Sequence, residues 1–239
     1  MSTIKNFLDN IRNSIFAGDE NYQRLELPPV TKVWQDDNDS NVDLSEAGLL
    51  EQFCCNLEKI SGEFILCNDF NDVVLQIAKI LRENNEQNFD EVKIMISSNS
   101  KTRQIADQLQ QQELIETKPC LKFYFDLVGC ELDLAELASC DLGLVSAEAL
   151  LADTGSGVFR ADSRFERLAV YLPPISVVIA ERGKLAKNLQ TAWQNLCTEI
   201  KNQKTGEFVI VTGPSRTADI EKVLILGVHG PRRLLFLIY

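Results

Sequence analysis

The chain has 239 residues, 45% of them apolar, enough to bury a sizeable core and to exclude a disordered or fibrous protein. Its 24 Lys and Arg face 35 Asp and Glu, a net charge of −11, so its field repels phosphate backbones and anionic bilayers and speaks against nucleic-acid and membrane-surface roles. No run approaches the roughly 18 apolar residues that cross a bilayer. The opening MSTIKNFLDNIRNSIF is broken by Lys5, Asp9, Asn10 and Arg12 rather than forming a signal core, so the expected location is the cytoplasm.

In chain order, Ile4, Phe7, Leu8, Ile11 and Ile15 predict an amphipathic helix. An aperiodic, acidic stretch with Pro28 and Pro29 follows and reads as a linker to residue 43. The stripe of that first helix must bury against the main body or against a second copy, as a homo-oligomer contact. From residue 44 helices and short apolar strands alternate. Leu49, Leu50, Phe53 and Leu57 predict a helix and Phe64 to Leu66 a strand; Val73, Val74, Ile77, Ile80 and Leu81 a helix, and Ile94 to Ile96 a strand. A helix with Ile105 and Leu109 precedes a strand through Leu121, Phe123 and Phe125, and further strands are expected at 142–145, 176–180, 208–211 and 234–239. Leu185, Leu189, Trp193, Leu196 and Ile200 give the cleanest helical spacing. The pattern is α/β, a mostly parallel central sheet flanked by helices, in a domain spanning 44–239 behind an amino-terminal helical extension.

Two polar, glycine-containing segments interrupt the apolar scaffold where strand-end loops bind ligands. In the first, 141–157, Ser146 and Glu148 punctuate an apolar run, and Thr154, Gly155 and Gly157 form a turn. A carboxylate there is costly to bury without a partner, so Glu148 is a candidate base or nucleophile; an exposed edge or a structural hydrogen bond is the alternative. The second, 212–220, follows a strand and carries Gly213, Ser215, Arg216 and Thr217, residue types suited to a cradle for a small anionic metabolite, carboxylate or phosphate. His229 and Arg232 stand close by in sequence. From residue 201 onward six Lys or Arg face three acids, a local +3, which favours an anion. Ser146, Glu148, Arg216 and His229 are expected to converge on one cleft, with His229 as a second proton-handling candidate. Ser215, Asp219 and His229 have the residue types of a hydrolase triad, but no G-x-S-x-G elbow is present and Pro214 precedes the serine.

The seven cysteines, Cys54, Cys55, Cys67, Cys120, Cys130, Cys140 and Cys197, contain no C-x-x-C pair, and there is one histidine. Neither a zinc nor an iron–sulfur ligand set is read, nor a dinucleotide fingerprint, so the expectation is no metal, no flavin and no other cofactor, with most thiols acting as small buried hydrophobes.

The carboxyl-terminal GPSRTADIEKVLILGVHGPRRLLFLIY closely resembles the signature of the LUD-domain family of lactate-utilization proteins, of the LutC and YkgG kind. The stretch CDLGLVSAEALLADTGSGVF and the run from Arg167 through Pro173, Pro174 and Ile179 resemble the same family, with Ser176 where many relatives carry histidine and Ser156 where threonine is usual. The resemblance implies a fold like the sugar-phosphate isomerase and CoA-transferase (NagB/RpiA-like) group. It also implies a place beside iron–sulfur partner subunits in a cytosolic system oxidising L-lactate to pyruvate, the chain itself carrying no redox centre. Two other readings stay open: a free-standing enzyme acting on a sugar phosphate or CoA thioester with Glu148 as base or nucleophile, and a non-catalytic carboxylate-binding regulator.

Overall fold

The computed structural model describes residues 45–83, 91–111, 120–126, 133–199, 207–218, 224–226 and 230–239, with backbone alone at 198–199, 217–218 and 224–226. The expected first helix, the linker, Cys130, Asp219 and His229 lie outside the described residues. Chain order is α1 (Glu46–Lys59), β1 (Glu63–Leu66), α2 (Phe70–Glu83), β2 (Glu91–Ile96), α3 (Ser100–Gln111), β3 (Cys120–Phe125), α4 (Leu134–Ala138) and β4 (Leu142–Ser146). Then come β5 (Ala149–Leu151), β6 (Ser156–Ala161), α5 (Arg164–Tyr171), β7 (Ile175–Ala180), β8 (Leu185–Ala186), α6 (Leu189–Glu199), β9 (Glu207–Val211), β10 (Arg216–Ala218), β11 (Leu224–Leu226) and β12 (Arg233–Ile238).

Helix starts follow capping chemistry. Ser45 Oγ accepts from the Gly48 amide at 3.1 Å, Asp133 from Ala135 and Glu136 at 2.9 and 3.2 Å, and Ser163 from Glu166 at 3.2 Å. The strands β1, β12, β7, β4, β2 and β3 lie in that order as one six-stranded sheet, parallel at every pairing. Both faces of this sheet are covered, which is why its central strands read as unbroken apolar runs. Along β12, Leu235 and Leu237 bury toward α2 and α3, while Leu234, Phe236 and Ile238 bury toward α1 and α5. On that second face the Phe53 and Phe236 rings meet edge to face with centroids 5.3 Å apart.

Crossover handedness sorts the helices between the faces. Moving from β1 to β2 and from β2 to β3, the chain advances toward one edge with α2 and α3 on one face; from β3 it turns back past β2 to β4, β7 and β12 with the connections on the other. Within the run β3-β2-β4-β7-β12 the winding reverses between β2 and β4, the doubly wound pattern with its switch point at that gap.

The excursion from β4 to β12 builds a smaller four-stranded sheet, ordered β8-β5-β6-β9, with β5 and β9 antiparallel to β6. Leu150 and Phe159 face the main core, whereas Ala149, Leu151 and Val158 face α6. The expected strand at 208–211 exists but belongs to this sheet rather than to the parallel one. The expected helix from Leu185 begins only at Leu189, because Leu185 pairs with Leu150 in β8. Trp193, on the expected apolar stripe, is 49% exposed and rests edge-on against Phe208.

Glu63 and Arg233 lock the amino ends of β1 and β12 with two parallel hydrogen bonds of 2.9 and 2.8 Å, which hold the Glu63 carboxyl below its ordinary value of 4.5. A folded-state value below the unfolded one means that the pair's stabilisation is complete above about pH 4.5 and is lost as pH falls through the depressed folded value. Arg233→Met therefore loses less stability than wild type when urea midpoints are compared between pH 6 and about pH 3; parallel curves for the two proteins would assign the acid sensitivity elsewhere.

Candidate functional site

At the winding reversal, where chains leaving adjacent strands diverge to opposite faces, a cleft of about 220 Å³ opens at the carboxyl edge of β2 and β4. One wall is the β2–α3 turn, Ser97, Ser98 and Asn99; Ser146 at the end of β4 and Glu148 beyond it form the side; Arg160 and Asp162 close the cleft from β6 and its exit, with Glu166 of α5. Val145, Phe159 and Val170 supply the apolar lining.

The β2–α3 turn is held from within. Buried Thr102 sets its hydroxyl 2.8 and 2.7 Å from the Ser97 and Asn99 carbonyls, and Asn99 Oδ1 accepts from the Lys101 amide at 2.9 Å. The Lys101 ammonium pairs with Glu181 at the exit of β7. Arg160 and Asp162 form an ion pair of 3.2 Å. Glu148 is half-exposed and its carboxylate makes no hydrogen bond or ion pair with a described residue, whereas Glu166 is 9% exposed and accepts the Asp162 amide at 2.7 Å and the Ser98 amide at 3.2 Å. Two carboxylates thus share one cleft in different states: Glu166 engaged at both oxygens, Glu148 open to a ligand.

Of the sequence-predicted residues with described side chains, Ser146 and Glu148 line this cleft, and Thr154, Gly155, Gly213, Ser215 and Arg216 do not. Thr154, Gly155 and Gly213 gather instead around the end of α1. Gly155 (φ +65°) and Gly213 (φ +75°) are in the left-handed region, and added Cβ atoms would stand 2.4 Å from the Leu57 amide nitrogen and 2.9 Å from the Ile60 carbonyl oxygen. The close backbone approach foreseen for a ligand is made by α1 itself. Ser156 Oγ ties the two turns, 2.7 Å from Thr154 Oγ1 and 2.8 Å from Thr212 Oγ1, and the Asn56 amide group donates to the carbonyls of Ala152 and Asp153 at 2.8 and 3.0 Å.

Ser215 donates its amide to the Pro231 carbonyl at 2.8 Å, and the Arg232 amide reaches the Pro174 carbonyl at 2.8 Å. Pro174 precedes the first residue of β7, so the Ser215 turn and the exposed Arg216 sit at the amino edge of the sheet. Ser146 pairs with Ile179 at the carboxyl edge, four residues or roughly 13 Å further along the strands. The expected convergence of Arg216 with Glu148 is therefore corrected, because β9, the strand before Arg216, belongs to the smaller sheet and leads to the amino edge of the large one rather than to its carboxyl edge. Thr217 is described by its backbone in β10, opposite Ile225, and His229 is outside the described residues. Ser98, Asn99, Arg160 and Glu166 were not singled out from sequence; the hydroxyl-rich SSNSKT directly after the β2 strand was the available signal.

Burial holds the Cys54 and Cys67 thiols up at about 11 and Cys140 at about 12, so these three are protonated hydrophobes at neutral pH, while Cys55, Cys120 and Cys197 are exposed. Among the described residues no three His, Cys, Asp or Glu are grouped to hold a metal ion, and no helix is long and apolar enough to cross a membrane. Ser176 is buried in β7 with no hydrogen-bond partner for its hydroxyl among the described residues.

Fold and cleft together define a doubly wound α/β protein with a polar switch-point site. Residues 50–239 match the family profile of the LUD domain, and the chain belongs to that family. It is 30% identical over 109 residues to lactate utilization protein C of Macrococcus caseolyticus, covering 45% of this chain and 46% of the relative, and 33% identical over 114 residues to lactate utilization protein C 1 of Bacillus mycoides, covering 45% and 47%. To the uncharacterized protein YkgG of Escherichia coli it is 26% identical over 152 residues, covering 61% and 62%. The chain thus spans less than half the length of the first two relatives in these matches. The crystal structure of a DUF162 family protein from Deinococcus radiodurans shares the fold, with a TM-score of 0.50, 14% identity, and coverage of 82% of this chain and 99% of that one.

Gly155→Ala is expected to lower unfolding free energy by roughly 2–4 kcal/mol, combining left-handed strain with overpacking against helix backbone. Urea denaturation measures it; a loss below about 0.5 kcal/mol, the usual range for surface changes, would mean that α1 is not seated on this turn.

Proposed function

We propose that the protein serves lactate utilization as a member without its own redox centre. In this reading it binds a small hydroxy acid in the switch-point cleft, beside iron–sulfur partner subunits that oxidise L-lactate to pyruvate in the cytoplasm. Family membership and the names of the relatives support the lactate assignment. The observation that carries the ligand reading is Glu148, a carboxylate with no described partner, in a polar cleft at the place where doubly wound sheets bind ligands.

The chemistry is complementary to a 2-hydroxy monocarboxylate. Arg160, already aligned by Asp162, takes the carboxylate through paired charge-assisted hydrogen bonds, and Glu148 accepts a hydrogen bond from the hydroxyl. Ser146, Ser98 and Asn99 supply further polar contacts. The cleft holds three carboxylates, Glu148, Asp162 and Glu166, against one guanidinium, a balance that disfavours a dianionic phosphate and weighs against the sugar-phosphate reading.

Calorimetric titration tests this with L-lactate, pyruvate and glucose 6-phosphate on wild type, Glu148→Gln and Arg160→Gln. Wild type is expected to bind L-lactate, each variant to bind it about tenfold or more weakly through loss of a hydrogen bond to a charged group, and glucose 6-phosphate to give no heat. Equal affinities in all three proteins would remove the cleft from the binding reading. Protein isolated gently from lactate-grown cells is expected to carry iron-containing partners; a lone, iron-free chain would contradict that half of the proposal.

A further inference from the structure

Glu166 stands three places after the α5 cap, Ser163, and the Ser163 hydroxyl accepts its amide at 3.2 Å. In a capping box the glutamate at this position turns back to the amide of the cap residue itself. Its carboxylate is instead diverted: Oε2 takes the amide of Asp162, one residue before the cap, at 2.7 Å, and Oε1 crosses to the amide of Ser98, 68 positions earlier in the chain, at 3.2 Å. One carboxylate, 9% exposed, thereby joins the β2–α3 turn to the exit of β6, the two walls that face each other across the cleft.

The other described contacts of the β2–α3 turn run elsewhere. Thr102 holds it from its own helix, the Ser97 amide donates to the Leu144 carbonyl of β4 at 3.0 Å, and Lys101 reaches Glu181 after β7. Among these described hydrogen bonds, Glu166 alone ties the turn to the side of the cleft that carries Arg160. A buried carboxylate is tolerable here because two amides point at it.

We infer that Glu166 is a positioning residue, one that sets the separation of Ser98 and Asn99 from Arg160 while leaving ligand contact to Glu148. This rests on the cleft being the ligand site. Glu166→Gln keeps the side-chain volume but offers one oxygen where two were used, so one wall-to-wall bond must be given up. Hydrogen exchange followed by mass spectrometry, with L-lactate calorimetry on the same samples, separates a positioning role from a merely structural one. Expected in Glu166→Gln are faster exchange at 97–99 and 162, unchanged exchange in the central strands, and an L-lactate Kd raised about tenfold. Unaltered exchange at 97–99 would overturn the tie, and faster exchange with an unaltered Kd would overturn its positioning role. Wild type failing to bind L-lactate would refute the proposed ligand, and the positioning role with it, while the exchange data would still decide whether the tie exists.

Discussion

Reversal of the winding direction between β2 and β4 is the constraint from which the carboxyl-edge site follows. Right-handed crossovers oblige chains moving toward β3 to run over one face and chains moving toward β12 to run over the other. The turns leaving β2 and β4 therefore part company, and the space between them cannot be filled by either connection. The exit of β6 closes that space, and Glu166 of α5 joins it to the turn leaving β2 by accepting from the amides of Asp162 and Ser98.

The opposite edge is governed by close backbone contact rather than by polar convergence. Left-handed turns at Gly155 and Gly213 receive the end of α1, and Ser156 and Thr212 bind the two turns to one another. Segments that read as ligand cradles in sequence thus act as a seat for a helix whose Phe53 and Leu57 are fully buried in the core. Glycine reports only that backbone must come close; what approaches it is a tertiary fact.

Apolar periodicity made the parallel sheet legible, since β2, β4, β7 and β12 are buried on both faces and α2 carries its stripe at helical spacing. The smaller sheet was less legible because β5 and β8 are three and two residues long, too short for an alternating pattern to declare itself. Ser146 and Glu148 could be picked out as polar residues interrupting an apolar run. Glu166 could not, because a glutamate three places after a serine has an ordinary explanation as a helix cap, and only the fold shows Ser98 within its reach. Arg216 follows an apolar strand in sequence, as a ligand-binding arginine would, but that strand, β9, is only partly buried, belongs to the smaller sheet and leads to the amino edge of the large one.

Backbone amide shifts recorded while L-lactate is titrated into the uniformly labelled protein locate the ligand without substitution. Changes concentrated at 97–99, 146–148 and 160–162 are the predicted result, placing the ligand at the winding reversal. Changes concentrated at 213–216 and 230–232, with the carboxyl edge silent, would place it among the signature turns and contradict the assignment of the cleft.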